Sequence, residues 1–145
     1  MHFLKYFLLV LLVVMCANSG KAQTNSTREA VKSNKFTPAY AELLLRKTEL
    51  ESDVESLLTS YTEEFPKIKE ARYELNLIQK DLQTILIQTD ASRLSLALGK
   101  LMTRRAELAT TLWSLQKQYG DEHPDVKRAR KKVFSFDSAI KEILP

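Results

Sequence analysis

Cysteine and histidine are almost absent from this sequence. The only cysteine is Cys16, and the two histidines are His2 and His123. Cys16 lies in an apolar N-terminal stretch that we predict to be removed, so neither a disulfide framework nor a thiol nucleophile is expected in the remaining chain. A zinc site would need carboxylates around a single histidine, an unusual ligand set for that metal. We therefore expect no metal and no cofactor.

Glycine and proline are also scarce, with three and four residues respectively in a chain of 145. Because these residues mark most places where helices stop or start, their scarcity favours long helices and an all-α fold. Thr37 followed by Pro38 is typical of a helix start, since proline at the first helical position loses no hydrogen bond. Beyond the N-terminal stretch, the two residue types are confined to Pro38, Pro66, Gly99, Gly120, Pro124 and Pro145.

The hydrophobic run at the N terminus is too short to cross a membrane. Only fifteen uncharged residues separate Lys5 from Lys21, whereas a membrane-spanning helix needs about 20 apolar residues. A basic residue, an apolar run and then small residues form the pattern of a secretory signal peptide. We predict that residues 1–22 are such a signal and that the protein is exported, to the periplasm or beyond, with no stable membrane span after cleavage.

Two alternatives to cleavage after Ala22 are a retained signal anchor and a lipid anchor on Cys16. Cleavage would remove two lysines and no acidic residue, leaving 20 basic and 18 acidic side chains. The following residues, 23–37, are polar and without apolar periodicity, so they are predicted to form a flexible tether. Export also means that nucleic acid is not an expected partner.

The most informative feature that is present is an internal repeat with an offset of 58 residues. Residues 61–72 align with residues 119–130 with six identities in twelve positions. A cation, Lys47 or Arg105, fills the same position of the apolar stripe in both copies. The stripe itself also repeats, with Leu43, Leu50, Val54, Leu57 and Tyr61 corresponding to Leu101, Leu108, Leu112, Leu115 and Tyr119.

Each copy predicts two amphipathic helices joined at a proline-started bend, because proline is tolerated at a helix start and disruptive inside a helix. The two antiparallel hairpins comprise residues 38–89 and 90–145. In the turn of the second hairpin, Gly120 suits the left-handed conformation that often ends a helix. One hairpin buries too little surface to be stable alone. We expect a four-helix bundle, or alternatively a pair of coiled-coil hairpins within an oligomer. The predicted helices are 38–61, 66–88, 91–119 and 124–144.

The turn of each repeat carries a tyrosine, a polar stretch, an aromatic ring and a proline. These residues are Tyr61, Phe65 and Pro66 in the first copy and Tyr119, Gly120, His123 and Pro124 in the second. The pattern Tyr-x-x-x-His-Pro-x-Val of the second copy resembles the periplasmic coiled-coil hairpin of polysaccharide chain-length determinant and exopolysaccharide-export proteins. The first copy departs from it, with Phe65 in place of histidine. The resemblance covers the hairpin alone and implies self-assembly beside polysaccharide machinery.

A lone histidine such as His123 could be a metal ligand or a general base. Phe65 occupies the same position in the first copy, so we interpret both residues as aromatic rings that pack the turn. The sequence also contains no phosphate loop and no Ser-His-Asp arrangement. We therefore predict no catalytic and no metal-binding residues, and a protein that is not an enzyme.

The strongest charge cluster is a run of five cations in six residues, which we call the basic run: Lys127, Arg128, Arg130, Lys131 and Lys132. It could bind an acidic polysaccharide or anionic head groups, although a solvated helix face is the simpler interpretation. Trp113 and Phe134 lie off the repeating stripe, and we expect them on facing arms, where they would pack the hairpins together or form a partner surface.

These observations favour an exported, non-enzymatic helical scaffold of the cell envelope that self-associates or binds a protein partner. The alternative function is a binding module for acidic polymers.

Overall fold

The computed structural model describes residue 29 and residues 31–144, and in this part of the chain there is no β-strand. The long helices are α1 (Pro38–Leu58), α2 (Pro66–Leu86), α3 (Leu96–Gln118) and α4 (Pro124–Ile143), with a short 3₁₀ turn at Ala91–Arg93 before α3. The predicted all-α class is confirmed, and the helices form two antiparallel hairpins, α1–α2 and α3–α4. The predicted signal peptide, residues 1–22, lies outside the described residues. Within the described residues, no helix is long and apolar enough to cross a membrane.

Local chemistry explains where the helices begin. Three of them start at a proline, as expected from the sequence. The start of α1 is further fixed by Thr37, whose Oγ1 accepts a hydrogen bond from the backbone N of Tyr40. The start of α3 is five residues later than predicted, because the carboxylate of Asp90 accepts hydrogen bonds from the backbone N and the hydroxyl of Ser92. These bonds favour a separate 3₁₀ turn over an earlier start of α3.

The predicted end of α1 and the predicted conformation of Gly120 are also wrong. Helix α1 stops at Leu58 and not at Tyr61, whose ring stacks on Phe65 in the turn. Gly120 does not adopt the left-handed conformation predicted for it, since no described residue has a positive φ. Helix α3 ends instead because Tyr119 is extended, with φ −131° and ψ 155°. The turn is then closed by a 3.0 Å hydrogen bond from the backbone N of His123 to the carbonyl oxygen of Gly120.

The predicted flexible tether, residues 23–37, is wrong for its last part. Residues 31–34 are helical, and Asn34 is 2% exposed. The Nδ2 of Asn34 donates to the carbonyl oxygens of Ile85, at 3.0 Å, and Gln88, at 2.7 Å. Because the last carbonyls of a helix lack partners within it, a single buried amide can fix this segment to the end of α2 despite its polar composition. Most of the earlier tether residues lie outside the described part.

The core lies between α1, α2 and α3, and α4 is added on one side of it. Helix α4 packs chiefly on α3 and contributes only Val126 and Ala129 as buried residues. In the first hairpin, by contrast, α2 buries its apolar side chains almost to its end. The main core cluster consists of Ala39, Leu43, Leu50, Ile78, Leu82, Ile85, Leu94, Leu98, Met102 and Ala106.

Candidate functional site

The two hairpin tips have the same structure. Tyr61 stacks on Phe65 with ring centroids 4.1 Å apart and 9° between the planes. Tyr119 stacks on His123 with a separation of 4.2 Å and an angle of 18°. In each tip, the second ring directly precedes the proline that begins the next helix. The structure therefore brings the duplicated turn residues together as two aromatic pairs.

His123 has one function that Phe65 lacks. Its Nδ1 accepts a 3.2 Å hydrogen bond from the backbone N of Asp125, which caps the start of α4. Because this nitrogen is used as an acceptor, the proton of the neutral ring is placed on Nε2. The ring stack on Tyr119 and the hydrogen bond to the start of α4 are both contacts of a residue that stabilises a turn.

Ion pairs across the turns are duplicated as well. Exposed pairs of this kind contribute about 0–1 kcal/mol each, but their recurrence at equivalent positions indicates that they help to close each turn. In the first hairpin the pairs are Lys69–Glu64 and Arg72–Glu63, and in the second they are Lys127–Glu122 and Arg130–Asp121.

The same pairs engage much of the basic run. Besides Lys127 and Arg130, Arg128 pairs with Asp125. Hydrogen bonds from Gln116 and Arg130 lower the pKa of Asp121, and a hydrogen bond from Arg128 lowers the pKa of Asp125. Asp121 and Asp125 thus stay ionised. Since Lys127 is paired with Glu122, three of the five cations have a carboxylate partner. Within the described residues, the other two cations, Lys131 and Lys132, have no carboxylate within 4.0 Å.

Phe134 lies on the outer face of α4, beside the basic run. Its side chain is 71% exposed. Together with Ser135 and three cations, Lys127, Arg130 and Lys131, it lines a shallow depression of about 600 Å³. This arrangement joins an apolar ring to a positively charged rim, and we call it the α4 face.

The sequence leaves two roles open for Trp113 and Phe134, and packing of the two hairpins against each other is a role of Trp113 alone. Trp113 stacks on Tyr73 of α2 with ring centroids 4.9 Å apart and 13° between the planes, while Lys117 Nζ lies 5.4 Å from the centroid of the indole. Trp113 therefore packs hairpin two against hairpin one. The face of α3 that carries Trp113 contacts α2 and not α4. Phe134 of α4 therefore has no contact with Trp113 and stays on the outer surface.

A buried ion pair between Asp81 and Arg105 is the main polar feature that the sequence analysis does not identify. Arg105 Nη2 lies 2.5 Å from Asp81 Oδ1, and the two side chains are 17% and 7% exposed. Burial raises the pKa of Asp81 to about 6, although the charge of Arg105 acts in the opposite direction. In the sequence, Arg105 itself is the feature that indicates such a pair, since a cation inside an apolar stripe needs a partner of opposite charge.

A carboxyl group with a raised pKa can be a catalytic acid. Asp81 is better explained as a structural residue, because it is held by Arg105 where α2 meets α3. Three depressions on the described surface are lined by other residues. Among the residues that the structure describes, no group of three or more His, Cys, Asp or Glu side chains is placed to hold a metal ion.

The tips and the buried ion pair thus hold the fold together, and the α4 face is the part of the candidate site that is free to meet a ligand. The ring of Phe134 and the ammonium group of Lys131, which has no carboxylate within 4.0 Å among the described residues, are the features suited to recognition. Comparison of the chain with protein-family models, with curated proteins and with solved structures finds no match.

Proposed function

We propose that this chain is an exported, non-enzymatic helical scaffold of the cell envelope that binds a protein partner through the α4 face. The observation that carries the proposal is the position of Phe134, 71% exposed on a helix that packs chiefly on one neighbour. Large aromatic side chains surrounded by polar groups are the usual anchors of protein interfaces. The resemblance of the turn motif to chain-length determinant hairpins supports a partner in polysaccharide export.

The absence of an evident reaction centre in the described residues supports a binding role. His123 Nδ1 caps α4, and Asp81 is paired with Arg105, so the two most conspicuous titratable groups already have structural partners. The rigid hairpins are suited to holding a surface in a fixed orientation, as a scaffold requires.

The test is to replace Phe134 by asparagine, the residue found at the equivalent position, Asn76, of the first hairpin. Because the ring is exposed, Phe134→Asn should leave helicity and the unfolding midpoint unchanged. Photo-cross-linking from Ser135 in intact cells should give a discrete product with the unchanged protein and roughly a fifth as much with the variant.

The matched control is Leu45→Asn, which removes an apolar side chain that is 58% exposed on α1. It should leave the yield of the cross-linked product unchanged. Equal yields from the Phe134 variant and the unchanged protein would show that the α4 face is not the contact surface.

The second candidate function is binding of an acidic polymer, and the cationic rim of the depression around Phe134 favours it. Here the double variant Lys131→Glu/Lys132→Glu should elute from an immobilised acidic polysaccharide, such as alginate, at clearly lower salt than the unchanged protein. Lys67→Glu/Lys80→Glu, on exposed positions of α2, makes the same change in net charge and should elute nearly unchanged. An equal loss in both variants would mean that retention reflects overall charge.

A further inference from the structure

The end of the bundle opposite the two tips brings together separate parts of the chain, and we call it the base. Asn34 bonds to the carbonyls of Ile85 and Gln88 there. The backbone N of Ala39 donates to the carbonyl oxygen of Leu94 at 3.3 Å. The guanidinium of Arg93 donates to the carbonyl oxygen of Ile143, at the end of α4, at 3.2 Å. The base therefore includes the first described residues, the α2–α3 connection and the end of α4.

Three large apolar side chains are exposed at the base. Phe36 is 82% exposed, Ile87 is 72% exposed and Leu96 is 47% exposed. Unlike the aromatic rings at the tips, Phe36 takes part in none of the ring stacks found in the described residues. All three side chains belong to the connecting segments or to the first residue of a helix, so they add nothing to the core.

The charged groups around these side chains leave the base positive. Lys32 and Lys35 both precede Phe36, by four residues and by one, and Lys100 follows Leu96 by one turn of α3; all three are exposed and none has a carboxylate within 4.0 Å among the described residues. The acidic residues near the base are fewer than its cations. Asp90 is paired with Arg93, Lys141 and Glu142 offset each other, and Glu29 and Glu42, the latter beside Gly99, stand against the three lysines.

We propose that the base docks on an anionic membrane surface, with Phe36, Ile87 and Leu96 inserted at the level of the lipid head groups. Isolated apolar side chains bordered by lysines suit this interface, because the apolar groups enter the boundary of the acyl chains while the ammonium groups stay with the phosphates. The proposal does not depend on the α4 face.

The experiment uses the chain from residue 23, so that residues 1–22 cannot cause binding. Every core residue of the described part lies after residue 30, so we expect the chain from residue 23 to keep the described fold. Sedimentation with vesicles of equal parts phosphatidylglycerol and phosphatidylcholine should show binding that weakens strongly without phosphatidylglycerol. The variant Phe36→Ser/Ile87→Ser/Leu96→Ser should bind roughly tenfold more weakly, and Lys32→Glu/Lys35→Glu should lose the preference for the anionic lipid.

The matched control is Leu45→Ser/Leu58→Ser, which removes two exposed apolar side chains of α1, one two turns after its start and one at its tip end. It should bind like the unchanged chain. The variant Lys131→Glu/Lys132→Glu should also bind the vesicles like the unchanged chain, which would show that these two lysines of α4 do not contribute to the binding.

A spectroscopic measurement tests the insertion without removing any apolar residue. The fluorescence of Phe36→Trp should shift to the blue and be quenched by brominated lipids on addition of the anionic vesicles, whereas that of Phe134→Trp should not change. The proposal would be overturned if the triple serine variant sedimented with the vesicles as the unchanged chain does and the fluorescence of Phe36→Trp did not shift. A blue shift that depends on protein concentration in the absence of vesicles would assign the base to a second copy of the chain, and would equally overturn it.

Discussion

Gly99 lies at a close approach between the two hairpins. A Cβ placed there would lie 2.8 Å from the Cβ of Glu42 and 3.0 Å from the Cα of Ala39. Because one of these atoms is backbone, the contact cannot be relieved by a side-chain rotation. The small residue is therefore required by the packing between helices and not by the conformation of its own backbone, whose φ is negative.

We expect Gly99→Ala to lower the free energy of unfolding by about 1–3 kcal/mol, the usual cost of overpacking. Gly120→Ala is the matched control, since a Cβ there meets nothing within 4 Å and φ is not positive. This second change should be neutral or stabilise the protein by about 0.5 kcal/mol, because alanine restricts the unfolded chain. Urea denaturation of both variants measures the difference, and equal effects would contradict the close approach at Gly99.

Asp81 should make the stability depend on pH. Burial raises its pKa from the ordinary value of 3.8 to about 6 in the folded protein. The folded state thus binds the proton more tightly than the unfolded state, and the contribution of this group is present below the unfolded pKa and lost as the pH rises through the folded pKa. Between about pH 4 and pH 7 the loss should be up to about 3 kcal/mol.

The non-titrating variant Asp81→Asn isolates this contribution. Urea denaturation at several pH values should show the unchanged protein losing stability relative to Asp81→Asn as the pH rises. The opposite slope would mean that the attraction of Arg105 for the carboxylate outweighs the effect of burial.

At the scale of the helices and turns, the stacked rings in each tip should contribute to the free energy of unfolding. His123→Ala removes both the stack on Tyr119 and the cap on Asp125, and it should cost about 1–2 kcal/mol in the free energy of unfolding. His123→Phe copies the first hairpin and should restore most of the stacking but not the cap. A phenylalanine variant as unstable as the alanine variant would show that the cap, and not the stack, holds the turn.

The elements that the sequence predicts well are those specified by local chemistry. Pro38, Pro66 and Pro124 begin helices because their effect on the backbone needs no distant partner. The segment around Asn34 and the late start of α3 depend on side-chain hydrogen bonds that a hydrophobic pattern does not reveal. Sequence patterns therefore give the helix starts more reliably than the connections.

The same distinction holds for the candidate site. The aromatic pair in each tip is local, so the repeat is enough to align Phe65 with His123. The contacts of Asp81 and Trp113 join helices distant in sequence, and their partners, Arg105 and Tyr73, cannot be chosen without the packing. An aspartate on an amphipathic helix otherwise has the appearance of a solvent-exposed residue.

At the scale of the whole molecule, the two repeats have unequal environments. Ile78, Leu82 and Ile85 of α2 are at most 6% exposed, whereas their counterparts Phe136, Ile140 and Ile143 in α4 are only partly buried. The difference arises because hairpin one is covered by α3, whereas none of the described helices covers hairpin two on its equivalent side.

We expect the backbone amides of the second half of α4 to exchange with solvent at least about tenfold faster than those of the equivalent half of α2. Local opening requires less free energy where fewer apolar contacts are broken. Native-state hydrogen exchange followed by mass spectrometry measures this directly. Equal protection of the two segments would indicate that α4 is held by contacts beyond those with α3.

The close contact at Gly99 affects whether further hairpins can stack on the two that are present. The first hairpin carries Ala41 at the position equivalent to Gly99. Another molecule whose first hairpin stacked in the same manner on hairpin two would therefore bring a methyl group where the existing interface has only a hydrogen. We expect this overpacking to cost about 1–3 kcal/mol at each new interface, which disfavours head-to-tail extension into an open array of hairpins.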